Sequence, residues 1–286
     1  MSKHQILMTG TLLDELGLRL DDDFEVHRVH SIADAGDLLQ EVGPQIIGIS
    51  HGGHGPTIDG AAMDRLPNLK LIANFGVGYD TVDAAEAGRR GVIVTNTPDV
   101  LSEEVADTAL ALLLMTTREL GRAEQWVRQG HWANKGAYRL TPLTLRGRSV
   151  GIAGLGRIGR AIAHRCEAFG LPVSYFGRTK KDDVPYPFYT DLVEMAAAVD
   201  TMILVTPGTA ETQDMVNADV LAALGSNGVL INIARGSVVD EAALIEALRA
   251  NTIAAAGLDV MKNEPNIDPT LMTLENCVLL PHVGSA

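Results

Sequence analysis

Apolar, β-branched runs recur through the first part of the chain: "QILMT" (5–9), "FEVHRV" (24–29), "QIIGIS" (45–50), "LKLIANF" (69–75) and "VIVTNT" (92–97). Segments of helical character, such as "TLLDELGLRL" and "DAGDLLQEV", lie between them. Runs that are apolar almost throughout, rather than at alternate positions, indicate strands buried on both faces, and their alternation with helices predicts a parallel sheet. A long helical pattern, "SEEVADTALALLLMTTRELGRAEQWVRQG", opens at Ser102. Ser102 is expected to cap it, Glu103 and Glu104 to face its positive end, and its apolar middle to pack between layers. A second alternation follows, with strands "SVGIAG" (149–154), "PVSYFG" (172–177), "TMILVT" (201–206), "GVLINI" (228–233), "IAAAGLDV" (253–260) and "CVLLPH" (277–282). The break "PDVLS" (98–102) divides a domain of residues 1–99 from one of residues 100–286. The expected class is α/β, with two doubly wound parallel-sheet domains.

The second alternation carries a phosphate-loop signature. In "VGIAGLGRIGRAIAHRCEAFG", Gly154, Gly156 and Gly159 form G-x-G-x-x-G after one predicted strand and at the opening of a helix. The first glycine permits the tight turn, the second lets a pyrophosphate approach the backbone, and the third lets helix meet strand. The free N–H groups of the helix N-terminus favour the anion. A site for NAD places an acid at the end of the following strand, on the ribose 2'-hydroxyl. Here that strand ends on Gly177, and Leu171 to Lys181 hold no acid. Arg178, Thr179 and Lys180 stand there instead, two cations and a hydroxyl suited to a 2'-phosphate, so NADP(H) is expected to be preferred over NAD(H). Asp182 and Asp183 keep an NAD site with a solvated basic turn as the alternative.

Ligands of open parallel sheets lie beyond the carboxyl ends of the strands. Thr206 and Pro207, Arg235, Asp259 and His282 all follow predicted strands, and Glu264 lies five residues past Asp259. Their types form a set. A carbonyl that accepts hydride needs a proton donor near neutral pH, and His282 supplies one. A carboxylate on the second imidazole nitrogen fixes the tautomer and lets the ring keep its proton until it is needed, a role for Glu264. A planar guanidinium grips a substrate carboxylate, a role for Arg235.

Bulk properties narrow the setting. The chain has 286 residues, 46% apolar and 21% charged, with mean hydropathy +0.11, enough for two full cores. A net charge of -13 argues against nucleic acid or an anionic membrane as partner. Two cysteines, Cys166 and Cys277, read as core residues in a reducing compartment. The short apolar run at the N-terminus is no signal peptide and no run is long enough to span a bilayer, so cytoplasm is the default location.

The stretches "GLGRIGRAIAHRCEAFG", "NIARGSVVDEAAL", "GLDVMKNEP" and "PHVGSA", with the weaker "NFGVGYDTVD" and "EEVADTALALLL", resemble the D-isomer-specific 2-hydroxyacid dehydrogenases. The resemblance runs over essentially the whole chain. It implies a flavodoxin-like substrate domain, a Rossmann cofactor domain, and Arg235, Glu264 and His282 in the roles above. It further implies cofactor contacts from Thr108, Gly154, Leu155, Gly156, Arg157, Ile158, Gly159, Arg178, Thr179, Lys180, Thr206, Pro207, Thr212, Ile233, Ala234, Gly284 and Asp259, the last toward the nicotinamide. "NFGVGYD" is similar to the family's substrate loop, whose N–H groups around Val77 and Gly78 take the substrate carboxylate. The alternative is an ordinary strand-to-helix turn.

Within the family, "RQGHW", "YFGRTKK" and "SHGGHGP" look most like NADPH-preferring glyoxylate and hydroxypyruvate reductases and their hydroxyphenylpyruvate-reducing plant relatives. The implied reaction is reduction of a small 2-keto acid to its 2-hydroxy acid, by a homodimer joined through the helix after Ser102 and the segment around Trp132. Trp132 matches a tryptophan that reaches a neighbouring subunit's pocket; a core or interface residue is the alternative. His51 and His54, though spaced like metal ligands, lack further candidates nearby and are expected to be loop residues near the pocket entrance, with no metal. The chain stops at Ala286, whereas the family resembled continues through a further helical segment. Bulkier aromatic keto acids, and a non-catalytic dinucleotide-sensing corepressor, are the alternative functions.

Overall fold

The computed structural model describes residues 3–10, 14–52 and 55–284, and the chain divides into two compact units, Met1–Val100 and Leu101–Ala286. In the first unit, β1 (His4–Thr9), β2 (Phe24–Val29), β3 (Ile46–Gly52), β4 (Leu71–Phe75) and β5 (Ile93–Thr95) form one sheet in the order β2-β1-β3-β4-β5. All its pairings are parallel. That is the flavodoxin-like order, which reverses between β1 and β3. Leu7, Ile49 and Ile72 stand in one cross-strand row, each almost wholly buried, and carry the core across three strands. The helices Gly60–Asp64 and Ala84–Arg89 begin at Asp59 and Asp83, whose side chains accept backbone N–H bonds as N-caps.

The second unit holds β6 (Val150–Ala153), β7 (Val173–Phe176), β8 (Phe188–Tyr189), β9 (Thr201–Leu204), β10 (Val229–Asn232), β11 (Ala255–Leu258) and β12 (Cys277–Leu279). They lie in the order β12-β11-β10-β9-β6-β7-β8, all parallel. This is the Rossmann order with one strand added beyond β11, and it reverses between β6 and β9. Successive residues of one strand enter different cores. Ile203 packs on one face with Ile152, Ile231 and the helix Ser102–Arg118, while Met202 and Leu204 pack on the other with Leu230 and Leu258. A strand that serves two cores has no polar face, which is why these runs read as continuously apolar.

The fold corrects the sequence reading in several places. The two-residue β8 was not expected, being too short to carry a pattern. The helical pattern after Ser102 is three helices, Ser102–Arg118, Leu120–Arg128 and His131–Lys135. Glu119 interrupts it with a left-handed φ of 50°, and its carboxylate accepts from the Tyr138 hydroxyl and the Arg139 guanidinium, each at 2.7 Å. Ser102 is the first helical residue rather than the cap, and Leu101 precedes it without a side-chain capping bond. Among the described residues, no helix is long and apolar enough to cross a membrane.

Candidate active site

The second unit's sheet opens at its switch point onto the glycine loop. Gly154 has φ 103°, a backbone region that L side chains rarely adopt. A Cβ on Gly159 would sit 2.1 Å from the Gly154 carbonyl oxygen, so only glycine lets the helix Arg157–Ala168 close on β6. A Cβ on Gly156 would meet nothing within 4 Å, and no side chain caps the helix behind it. Open space before uncapped N–H groups fits a dinucleotide pyrophosphate. Arg157 is exposed and Ile158 half-buried on the first turn, whereas Leu155, Ile233 and Ala234 belong to the apolar cores. Thr206, half-buried beyond β9, lies beside Gly154, and Thr212 closes the loop after it by donating to the exposed Pro207's carbonyl at 2.7 Å. Thr108 is half-buried on the helix Ser102–Arg118, one turn beyond Val105.

Arg178, Thr179 and Lys180 are exposed past β7, in a turn anchored where the Lys181 N–H donates to the Tyr175 hydroxyl. Asp183 is engaged elsewhere: its carboxylate pairs with both terminal nitrogens of Arg160, at 2.9 and 3.0 Å, and the guanidinium holds it below the usual carboxylate range. From β7 across β6 and β9 to β10 is three strand spacings, about 14 Å, the scale of an extended dinucleotide.

The next three strands carry the candidate chemistry. Arg235 follows β10, Asp259 and Glu264 follow β11, and His282 follows β12, so neighbouring strands place them at one sheet edge. His282 Nδ1 lies 2.7 Å from Glu264 Oε2, and Glu264 Oε1 accepts the Met261 N–H at 2.7 Å. A carboxylate can only accept from the ring, so Nδ1 carries hydrogen and Nε2 is left for other partners. Asp259 is buried, and its two oxygens accept the N–H groups of Val283 and Gly284, each at 2.8 Å. Its carbonyl takes the His282 N–H at 2.8 Å. Three bonds to one residue thus hold His282 at φ 56°, an uncommon conformation for a side-chain-bearing residue. Asn232, buried at the end of β10, accepts the Ala234 N–H and donates to the Arg235 carbonyl, both at 3.0 Å. That shapes the turn presenting Arg235, whose stem lies against Gly208, where a Cβ would come within 2.9 Å of it.

The first unit's edge has a different chemistry. Asn74, at 2% exposure near the end of β4, donates from Nδ2 to the carbonyls of Gly76 and Gly78 at 3.2 and 2.9 Å. Asn96 donates to the Val77 carbonyl at 2.9 Å. His51 is fully buried inside β3, with Nδ1 2.7 Å from the Thr9 hydroxyl and Nε2 2.9 Å from that of Thr81. Burial pushes its pKa down from 6.5 to about 4. It is therefore a neutral core residue and not the loop residue expected; His54 lies outside the described residues. Among the described residues no cluster of His, Cys, Asp or Glu could hold a metal ion.

Comparison with known proteins decides the family. Residues 110–284 match the D-isomer specific 2-hydroxyacid dehydrogenase family in its NAD binding domain. The chain is 42% identical over 283 residues to a hydroxyphenylpyruvate reductase of Plectranthus scutellarioides, covering 98% of this chain and 88% of that one. The chain belongs to the D-isomer specific 2-hydroxyacid dehydrogenases. It is 47% identical over 227 residues to a glyoxylate/hydroxypyruvate reductase of Arabidopsis thaliana, with 79% and 72% of the two chains covered. A crystal structure of the NADPH-dependent glyoxylate/hydroxypyruvate reductase of Sinorhizobium meliloti, in complex with NADP and malonate, is similar throughout, with TM-score 0.95 and 52% identity. It covers all of this chain, which spans 88% of that one. As a member of this dehydrogenase family the chain is an NAD(P)-dependent oxidoreductase, and its second unit is the nucleotide-binding one.

Sequence reasoning paired Glu264 with His282, and the structure brings the two into contact. It missed Asn74, Asn96, Asn232 and Gly208. A signal existed for two of these: "NFG" and "NIA" both put asparagine at the close of an apolar strand, just before a small-residue turn. Asp259, expected toward the nicotinamide end of the cofactor, also holds the His282 turn through both its carboxylate oxygens. Trp132 is not a core residue, being 62% exposed.

Proposed function

We propose that the enzyme reduces a small 2-keto acid, glyoxylate or hydroxypyruvate, to the 2-hydroxy acid with NADPH. When bound, the reduced nicotinamide would supply the hydride that the carbonyl carbon takes up. Among the chain's own groups, Arg235 binds the substrate carboxylate and orients the carbonyl, and His282 Nε2 delivers the proton to its oxygen. Glu264 holds the ring in that tautomer. The contact between Glu264 and His282, on the sheet that carries the glycine loop, is the observation that bears most weight. The likeness to two glyoxylate/hydroxypyruvate reductases supports the substrate class. The preference for NADPH is supported by the exposed Arg178, Thr179 and Lys180, and by Arg160 engaging the nearby Asp183.

Steady-state kinetics with glyoxylate, hydroxypyruvate, phenylpyruvate and hydroxyphenylpyruvate, each with NADPH and NADH, test the reading. The expected outcome is the highest kcat/KM for the two small acids with NADPH. Higher values for the aromatic acids would reassign the substrate, as the likeness to a hydroxyphenylpyruvate reductase allows. Turnover of none of the four would reject the function. A homodimer is part of the same reading, supported by the exposed Leu120, Val127 and Trp132 on neighbouring helices. Sedimentation equilibrium giving the monomer mass would remove it.

A further inference from the structure

At the carboxyl edge of the second sheet, β9, β10 and β11 lie side by side, and the turn after β10 that presents Arg235 is held from both flanks. On the β9 flank the Asp214 N–H donates to the Ser237 carbonyl at 2.8 Å, and Gly208 lies against the Arg235 stem. On the β11 flank a Cβ on Gly236 would fall 2.0 Å from the Met261 carbonyl carbon, so only glycine lets the turn meet that backbone. Met261 donates its N–H to Glu264, which holds the His282 ring, and Lys262 donates its own to Glu241 Oε2 at 2.9 Å. The Lys262 side chain then reaches the far flank, where its Nζ donates to Asp214 Oδ1 at 2.6 Å. β9 and β11 are not neighbours. They stand two strand spacings apart, about 10 Å, with β10 between them, so this ion pair links directly two loops that the sheet keeps separate.

From this we infer that Asp214 and Lys262 are positioning residues, a clasp that fixes the loops after β9 and β11 around the Arg235 turn and so sets Arg235 and Glu264 in register, an inference that rests on the proposed keto-acid reduction. They act through the backbone they hold. Asp214 sits at a left-handed φ of 51°, which glycine would adopt freely, whereas the aspartate brings a carboxylate to that point. Its second oxygen accepts from Gln213 Nε2 at 3.0 Å, and the bond from the Lys262 ammonium keeps the carboxyl below the usual carboxylate range. The two side chains are 30% and 42% exposed, and an ion pair so placed adds little to stability. Its effect is therefore expected in the rate of reaction rather than in resistance to unfolding.

The test measures kcat/KM for glyoxylate, the Kd for NADPH by fluorescence and the urea midpoint, in the wild type, Lys262→Met, Asp214→Gly, the double variant and Lys262→Arg. Lys262→Met and Asp214→Gly are each expected to lower kcat/KM about tenfold, with the NADPH Kd and the urea midpoint little changed. The double variant is expected to lose no more than either single one, because each opens the same clasp. Lys262→Arg keeps a cationic donor for Asp214 and is expected to recover most of the rate. Wild-type kcat/KM in Lys262→Met overturns the inference, and so does a double-variant loss equal to the product of the two single losses. Should Asp214→Gly fail to fold, the two Lys262 variants decide: a loss in Lys262→Met that Lys262→Arg shares in full overturns it. If the wild type reduces no keto acid, the proposed function falls and the clasp's role with it, whereas unaltered Lys262→Met kinetics in an active enzyme refute this inference alone.

Discussion

The carboxyl edges of the two sheets solve the same problem with opposite chemistry. At the first unit's edge the groups that shape the loops are neutral: the amides of Asn74 and Asn96, and a histidine whose proton burial removes. At the second unit's edge they include anions, with Asp259 gripping three consecutive residues around His282 and Glu264 holding its ring. A neutral amide can donate to backbone carbonyls. A carboxylate does the reverse, binding N–H groups and favouring a protonated base beside it. The difference teaches which edge is shaped by neutral amides bound to carbonyls and which by carboxylates bound to N–H groups.

The comparison breaks most sharply if the proton donor is removed. His282→Ala is expected to lower kcat by about 10²- to 10⁴-fold with NADPH binding retained. Single-turnover rates beside cofactor titrations check this, and an unchanged rate would move the proton chemistry away from this edge. Next in size is Asp259→Ala, which strips the acceptors from the part-buried N–H of Val283 and the buried N–H of Gly284. A loss of about 3 kcal/mol in urea unfolding is expected, together with reduced turnover, because the left-handed His282 loses its supports. Stability within about 0.5 kcal/mol of wild type would show that the turn holds itself.

The neutral edge has its own signature in pH. The folded pKa of His51, about 4, lies below its ordinary 6.5. The unfolded chain therefore takes up a proton as pH falls through 6.5, and the folded one does not until about 4, so stability is full above that window and drains away within it. Between about pH 7 and pH 5 the loss from this group is about 2 kcal/mol. Unfolding curves of wild type and His51→Gln should diverge by that slope, and parallel curves would mean that His51 binds its proton equally in the folded and unfolded states. The smallest effect belongs to the cofactor's far end. Replacing Arg178 and Lys180 together by alanine should raise the KM for NADPH about tenfold and leave that for NADH unchanged. An equal change for both cofactors would detach the turn from the 2'-phosphate.

Much of this was legible along the chain, and for identifiable reasons. A strand feeding two cores must be apolar throughout, so the runs around Ile49 or Ile203 announce themselves. The glycine spacing at 154, 156 and 159 is dictated by a turn, an open approach and a helix contact that are all local. His282 and Glu264 could be paired because each follows its own strand to the same edge. The Glu119 break was not legible, since the left-handed position is not a glycine, Gly121 two residues on lies inside the next helix, and the Glu119 carboxylate is held by Tyr138 and Arg139 well along the chain. Nor was the burial of His51, which depends on hydroxyls at Thr9 and Thr81 from two other segments.

The sequence by itself determined where most strands and helices fall, the class of the fold, the phosphate loop and the chemical types available at the strand ends, because each is written in periodicity or in contacts between near neighbours. Only the tertiary structure decided what the polar residues at those ends do. Whether Asn74 faces solvent or two carbonyls, and which N–H groups Asp259 accepts, depends on how the backbone around them is folded. A hydrogen bond is made by geometry, and residue type alone fixes only the partners it could accept.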